Sequence, residues 1–197
     1  SGRGEGRRRQ IASHLGGFRV KRRILCVLAA LALCLGLAPG TARAAEVSGP
    51  LDFTSASSGT SGSGYSWNAD TRTLTLNNFT QTIPDSTDRG TAILLPENAA
   101  LVLEGESTIA NSSYGGTCIR YQGTLTIRGS GTLNLNLDMP TKQNNSSTCG
   151  KGIYEKSDSS NNILRIESGT LNIKGNAQDT GSEGYVGISG AEVHLDG

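Results

Sequence analysis

The chain has 197 residues and carries 18 Lys and Arg against 17 Asp and Glu, a formal charge of +1. The first 44 residues hold nine of the bases and only one acid, so residues 45–197 carry a formal charge of −7. An acidic segment without a basic patch is unsuited to nucleic acid or to an anionic membrane surface, because phosphate binding needs clustered Lys and Arg. We therefore expect no nucleic-acid partner.

Residues 1–44 have the composition of a secretory signal peptide. The basic stretch Lys21–Arg23 precedes a 14-residue apolar run, Ile24–Leu37, and Ala42–Ala44 supplies an Ala-x-Ala cleavage site. The run is shorter than the about 20 apolar residues that a membrane-spanning helix needs. We expect cleavage at this site, a secreted or extracellular location, and no membrane association afterwards. Residues 1–19 are interpreted as a segment upstream of the signal.

Residues 45–64 are rich in Ser, Gly and Thr and are predicted to form a flexible lead-in, with one short strand around Leu51–Phe53. The only tryptophan, Trp67, comes just before Thr71–Leu76, the first stretch with clear apolar–polar alternation. We expect Trp67 to close the open end of the core rather than to contact a ligand.

A short apolar motif recurs through residues 65–197, which we predict to form one domain. It is clearest in Gly123–Leu135, where two alternating strands flank an Arg-Gly-Ser-Gly turn. The last apolar residues of the main strands are spaced by 27, 24, 39 and 29 residues and are Leu76, Leu103, Ile127, Ile166 and Leu195. A repeat of this length is typical of a solenoid. The longest interval contains an insert rich in Asn, Ser and Lys, residues 140–162.

Two further columns repeat in the same order. Gly-x-x-Ile-type strands end at Ile93, Ile119, Ile153 and Ile188, and a second strand after the main strand carries Ile109, Leu135 and Ile173. Three short strands per turn, stacked at about 4.8 Å, predict an all-β, right-handed parallel β-helix with a core of apolar columns. A β-sandwich, which also uses short strands at intervals of about 8–12 residues, is the alternative.

The last repeat stops at Gly197, directly after a main strand, whereas the two preceding repeats continue into a second strand. An uncapped repeat exposes unpaired backbone and apolar side chains. We therefore expect the β-helix to be truncated at its C-terminal end, with a missing region that could attach the protein to the cell wall.

Two of the four cysteines, Cys118 and Cys149, follow the signal peptide, and an oxidising compartment would permit a disulfide between them. In aligned strands the two are offset by three residues, about 10 Å, so the corner between them must fold back for the bond to form. Because that corner lies in the insert, we predict the disulfide. Two cysteines are too few for a zinc site, and we expect no metal and no cofactor.

The stretch Gly64–Asn78 (GYSWNADTRTLTLNN), followed by GTLTIRGSGTLNL, resembles exported bacterial β-helix proteins of the Gram-positive type known as carbohydrate-binding domain-containing proteins. The resemblance covers most of Tyr65–Gly197. It implies display on the cell surface and binding of a glycan or cell-surface polysaccharide, but it supplies no fixed site residues.

The last two repeats contain candidate catalytic residues. Glu167 and Asp196 would stack at about 5 Å, the carboxylate separation of retaining glycosidases, with His194 and Arg165 on the same face. The stacking itself produces this spacing, so it is weak evidence for catalysis. The alternative is an exposed ladder of opposite charges in which Arg128 lies between acidic neighbours.

Glycan binding requires an aromatic surface with polar groups beside it, because a sugar offers apolar C–H faces and many hydroxyls. Alternation places Arg120 and Tyr154 outward on neighbouring repeats and Tyr121 inward. Tyr114 lies near the same strands, and the insert supplies polar residues that include Asn145. We take Tyr154, Arg120, Tyr114 and Asn145 as candidate ligand-binding residues.

These patterns favour a secreted or cell-surface carbohydrate-binding or adhesion module that is not an enzyme. The first alternative is a polysaccharide-degrading β-helix enzyme, either a lyase or a glycosidase. The second is a structural spacer that binds nothing.

Overall fold

The computed structural model describes residues 45–85, 89–138, 149–156, 162–175 and 185–196. These residues contain 15 β-strands and no helix, which confirms the all-β prediction. The described ranges accordingly hold no helix that could cross a membrane. The predicted signal peptide lies outside them.

The strands in chain order are β1 Val47–Ser48, β2 Leu51–Asp52, β3 Ser61–Gly62, β4 Tyr65–Asn68, β5 Thr73–Asn77, β6 Thr80–Ile83, β7 Thr91–Glu104, β8 Glu106–Asn111, β9 Thr117–Gly129, β10 Thr132–Leu137, β11 Lys151–Glu155, β12 Ile163–Ile166, β13 Thr170–Gly175, β14 Val186–Ser189 and β15 Glu192–Leu195.

The alternation of side chains predicted for GTLNL is present in β10. Leu133 and Leu135 are fully buried, whereas Thr132 and Asn134 are half-exposed. A strand sends successive side chains to opposite faces, so this sequence has one face in the core and one in solvent.

The strands form two sheets. One has five strands in the order β1-β6-β8-β10-β13, and the other has ten, with the main path β14-β11-β9-β7-β5-β4-β3. From β5 to β15 every described pairing is parallel, and antiparallel pairing occurs only between β3, β4 and β5. An antiparallel sandwich, the alternative fold, would require the opposite pattern.

Two of the three predicted columns have the predicted register. Ile93, Ile119, Ile153 and Ile188 occupy matching positions on neighbouring strands of the ten-stranded sheet. In the five-stranded sheet, Ile109, Leu135 and Ile173 do the same. Matching apolar residues therefore stack on one another along each sheet, as parallel strands in register require.

In the third column the predicted match of Leu103 with Ile127 is wrong, because Ile127 pairs with Leu101 and Gly129 lies opposite Leu103. Strands β7 and β9 are offset by the same number of residues before and after two register shifts that cancel each other, so that Ile93 lies opposite Ile119 and Leu101 opposite Ile127. Glycine fits opposite Leu103 because φ at position 129 is 121° and a Cβ there would overlap the Leu103 carbonyl oxygen.

An aromatic cluster lies where the antiparallel strands begin the ten-stranded sheet. Trp67 is 3% exposed, its ring centroid is 5.1 Å from that of Phe53, and its Nε1–H donates a hydrogen bond to the Ala56 carbonyl oxygen at 3.1 Å. Tyr65 packs edge-on against both Phe53 and Phe79. Trp67 thus packs in the core, as predicted, and Phe53 of the lead-in belongs to the same core.

The opposite end is less covered. Strand β15 is paired on one side with β12, and within the described residues its Val193 and Leu195 are the exposed large apolar side chains, at 41% and 74%.

Candidate functional site

The structure brings Tyr154 and Arg120 together as predicted. Tyr154 lies on β11, in register with Arg120 on β9 and with Ser189 on β14. Both Tyr154 and Arg120 are partly exposed, whereas Tyr121 is fully buried. The predicted inward position of Tyr121 and the outward positions of the other two are therefore confirmed.

Two cations contact the Tyr154 ring. The Arg120 Cζ atom lies 5.9 Å from the ring centroid, and the Lys151 Nζ atom lies 4.8 Å from it. Both distances are within the range of cation–π attraction. We call Tyr154, Arg120 and Lys151 the tyrosine cluster.

Lys151 falls both in the predicted insert and in the predicted Gly-x-x-Ile strand that ends at Ile153; in the structure it is the first residue of β11, in register with Thr117. In a regular strand Lys151 and Tyr154, three residues apart, would point to opposite faces. Here Gly152 and Ile153 are both buried, so the alternation is interrupted and Lys151 reaches the ring. A side chain at position 152 would crowd the Gly187 carbonyl oxygen and the Ile173 side chain, which explains the glycine.

A buried carboxylate lies on the inner side of the same strand. Glu155 is 2% exposed, and its Oε1 accepts a hydrogen bond from the Gly123 N–H at 3.3 Å. Its strand neighbour is Tyr121. Burial, and secondarily the charge of Glu155, raises the pKa of Tyr121 far above its usual value. Sequence reasoning missed Glu155, because a charged residue type predicts exposure.

The other two predicted ligand contacts are Tyr114 and Asn145. Tyr114 is half-buried in the turn before β9, two residues ahead of Gly116, whose carbonyl oxygen accepts a hydrogen bond from the Lys151 N–H at 2.9 Å. This places Tyr114 near the Lys151 end of β11. Asn145 lies outside the described residues.

Two of the four candidate catalytic residues, Arg165 and Asp196, form a surface ion pair. Arg165 Nη1 lies 2.6 Å from Asp196 Oδ2, with 36% and 49% of the two side chains exposed. Arg165 is in register with His194, and His194 Nε2 lies 3.2 Å from Glu192 Oε1 without hydrogen-bond geometry. The Asp196 carboxylate therefore contacts an arginine, and because Leu195 is in register with Ile166, Asp196 follows directly beside Glu167 at the ends of the two paired strands.

The predicted ladder of alternating charges is interrupted. Asn77 Nδ2 donates to Glu104 Oε2 at 3.1 Å, but the residue in register with Arg128 is Val102, not Glu104. The cause is the register of β9 on β7 described above. Within the described residues, Arg128 forms no ion pair with Glu104 or Glu167.

Cys118 and Cys149 are both free, in contrast to the predicted disulfide. Lys151 is in register with Thr117, which leaves Cys149 three positions from Cys118 along the strand direction, beyond the reach of a disulfide. Cys118 is fully buried with its Sγ 4.0 Å from the Asn136 carbonyl oxygen, and burial raises its pKa to about 12. In the part of the chain that the structure describes, no three His, Cys, Asp or Glu side chains converge as a metal site would require.

Comparison of the chain with protein-family models, with curated proteins and with solved structures found no match.

Proposed function

We propose that this chain is a secreted or cell-surface carbohydrate-binding module, built as a right-handed parallel β-helix, in which the tyrosine cluster contacts the sugar. The signal-like residues 1–44 and the resemblance carried by the TLTL and GTLN motifs support export and surface display. The parallel pairing in both sheets supports the β-helix, because consecutive strands from β5 to β11 alternate between the two sheets while the main path of each sheet keeps the order of the chain.

The observation that carries the binding proposal is the position of Tyr154 on a strand, with two cationic donors beside its ring. The ring can pack against the C–H face of a sugar, and the guanidinium of Arg120 and the ammonium of Lys151 can donate hydrogen bonds to its hydroxyls. Groups on paired strands keep their mutual positions better than groups on loops, so less ordering is needed on binding.

Catalysis by Glu167 and Asp196 receives less support. A general acid or nucleophile must face the substrate, whereas Asp196 faces Arg165 at 2.6 Å in an exposed ion pair. We therefore place the ligand at β11 and not at β12 and β15.

The test is binding of the full chain to an array of oligosaccharides and cell-wall polysaccharides, followed by titration calorimetry with the best binder. We expect Tyr154→Ala to weaken binding at least about fivefold, since stacking on an aromatic ring contributes about 1 kcal/mol or more. Tyr154→Phe, which keeps the ring, should bind nearly as well as the unaltered chain. Absence of any bound glycan, or equal affinity of Tyr154→Ala, would contradict the proposal.

A further inference from the structure

We infer that the glycan bound at the tyrosine cluster is acidic, with a carboxylate or sulfate group held by Arg120 and Lys151. This inference rests on the proposed function, because it names the class of sugar bound at the same site.

The first argument is the concentration of unpaired positive charge at one place. Residues 45–197 carry a formal charge of −7, yet two of their few bases approach a single tyrosine ring. Since each lies within 6 Å of that ring centroid, the cations are at most about 11 Å apart, close to the Debye length of about 8–10 Å at physiological salt. An anion between them would be attracted by both.

The second argument is that Arg120 and Lys151 are not paired with a carboxylate, whereas two of the other bases are engaged. Arg165 forms an ion pair with Asp196, and Arg72 donates a hydrogen bond to the Glu97 carbonyl oxygen at 2.9 Å. Among the described carboxylates, none forms an ion pair with Arg120 or Lys151. The nearest acid in sequence, Glu155, is buried on the inner side of β11.

The third argument is the unused donor capacity of Arg120. Its side chain is partly exposed and forms no ion pair with a described carboxylate, so an incoming ligand can reach the guanidinium; the Nε atom is buried, has no hydrogen-bond partner and would not contact the ligand directly. A guanidinium forms paired hydrogen bonds with carboxylate and sulfate oxygens, which lysine and neutral donors do not reproduce. An acidic sugar would therefore use Arg120 for orientation, Lys151 for charge and Tyr154 for stacking.

The experiment compares three oligosaccharides of equal length on the full chain by calorimetry: a uronic acid oligomer, the same oligomer with its carboxyl groups reduced to alcohols, and a sulfated oligomer. We expect the uronic acid oligomer to bind at least about tenfold more tightly than the reduced one, with an affinity that falls as salt is raised. The sulfated oligomer shows whether charge alone suffices or whether the planar carboxylate is preferred, and tighter binding of either charged oligomer than of the reduced one supports the inference.

Arg120→Gln and Lys151→Gln should each lower the affinity for the acidic oligomer about tenfold, and should lower the affinity for the reduced oligomer by a smaller factor, because only a hydrogen bond between uncharged partners replaces the lost charge-assisted one. Arg128→Gln is the matched control, because Arg128 is an exposed base on the same strand as Arg120 but outside the cluster, and it should change neither affinity. The salt dependence of the unaltered chain is a second measure that needs no variant.

Equal affinity for the acidic and reduced oligomers, without salt dependence, would overturn this inference while leaving the proposed function standing. Binding of no glycan at all would overturn both. Loss of acidic-glycan binding in Arg128→Gln equal to that in Arg120→Gln would show that net charge, and not the cluster, is responsible, and would also overturn it.

Discussion

The two cysteines that follow residue 44 should differ sharply in their reaction with a thiol reagent. Cys118 is fully buried, and burial raises its pKa from 9.0 to about 12, whereas Cys149 is half-buried. The thiolate is the reactive form, so a shift of about three pH units lowers the reactive fraction of Cys118 at about pH 8 roughly 1000-fold. In a chain with Cys26→Ser and Cys34→Ser, we expect one rapidly labelled thiol and a second that reacts at least about 1000-fold more slowly.

The assay is stopped-flow labelling with a chromogenic disulfide reagent, repeated in denaturing urea, where both thiols should react rapidly. Cys149→Ser should remove the fast phase and Cys118→Ala the slow one. Two fast phases in the native protein would refute the burial of Cys118. No labelling in urea without a reductant would mean that the sequence-predicted disulfide forms after all.

Three further outcomes concern stability and can be measured by urea unfolding followed by circular dichroism. Gly129→Ala should destabilise the fold by about 2–3 kcal/mol, because its φ of 121° is strained for alanine and the new Cβ would overlap the Leu103 carbonyl oxygen. In the control Gly187→Ala the new Cβ would lie 3.8 Å from Ile173 Cδ1, an ordinary contact, so stability should change by less than about 0.5 kcal/mol. Similar losses in the two variants would contradict the register at residue 129. Trp67→Ala should cost about 3–5 kcal/mol, since the side chain is 3% exposed, and a loss below about 1 kcal/mol would show that it does not close the core. Stability should fall as pH rises from 9.0 towards about 12, because folded Cys118 keeps a proton that the unfolded chain releases, and the loss is at most about 4 kcal/mol. In Cys118→Ala the free energy of unfolding should depend less on pH in this window. A pH dependence equal to that of the unaltered chain would contradict the prediction.

The sequence predicted the apolar columns because a period of two can be read directly from alternating residues. Leu133 and Leu135 alternate with polar residues and are both buried, and Ile173 is in register with Leu135 on the next strand. The match of Leu103 failed because Leu101 has the same character two residues earlier, so residue type alone could not choose between the two registers. That choice depends on the whole backbone keeping one offset between neighbouring strands.

The candidate site was predicted in part. The outward positions of Arg120 and Tyr154 follow from alternation, but Lys151 approaches the ring only because two successive residues, Gly152 and Ile153, are buried. A local interruption of this kind has no signature in the periodicity. The burial of Glu155 was also beyond sequence reasoning, since its acceptance of a hydrogen bond from the Gly123 N–H depends on a partner 32 residues away.

The order of strand pairing has a consequence for how the chain reaches its native state. Strands β4 and β5 pair across 5 to 11 residues, whereas partners from β5 onward are 25 to 39 residues apart. Distant pairings form slowly because a loop must close before any contact is gained, so the local hairpin has the kinetic advantage. Strand β5 of this hairpin then has an unpaired edge to which β7 can hydrogen-bond, and each later strand pairs with the edge of a strand that has already formed. We expect the domain to assemble in the direction in which it is synthesised, with the first aromatic residues serving as its nucleus.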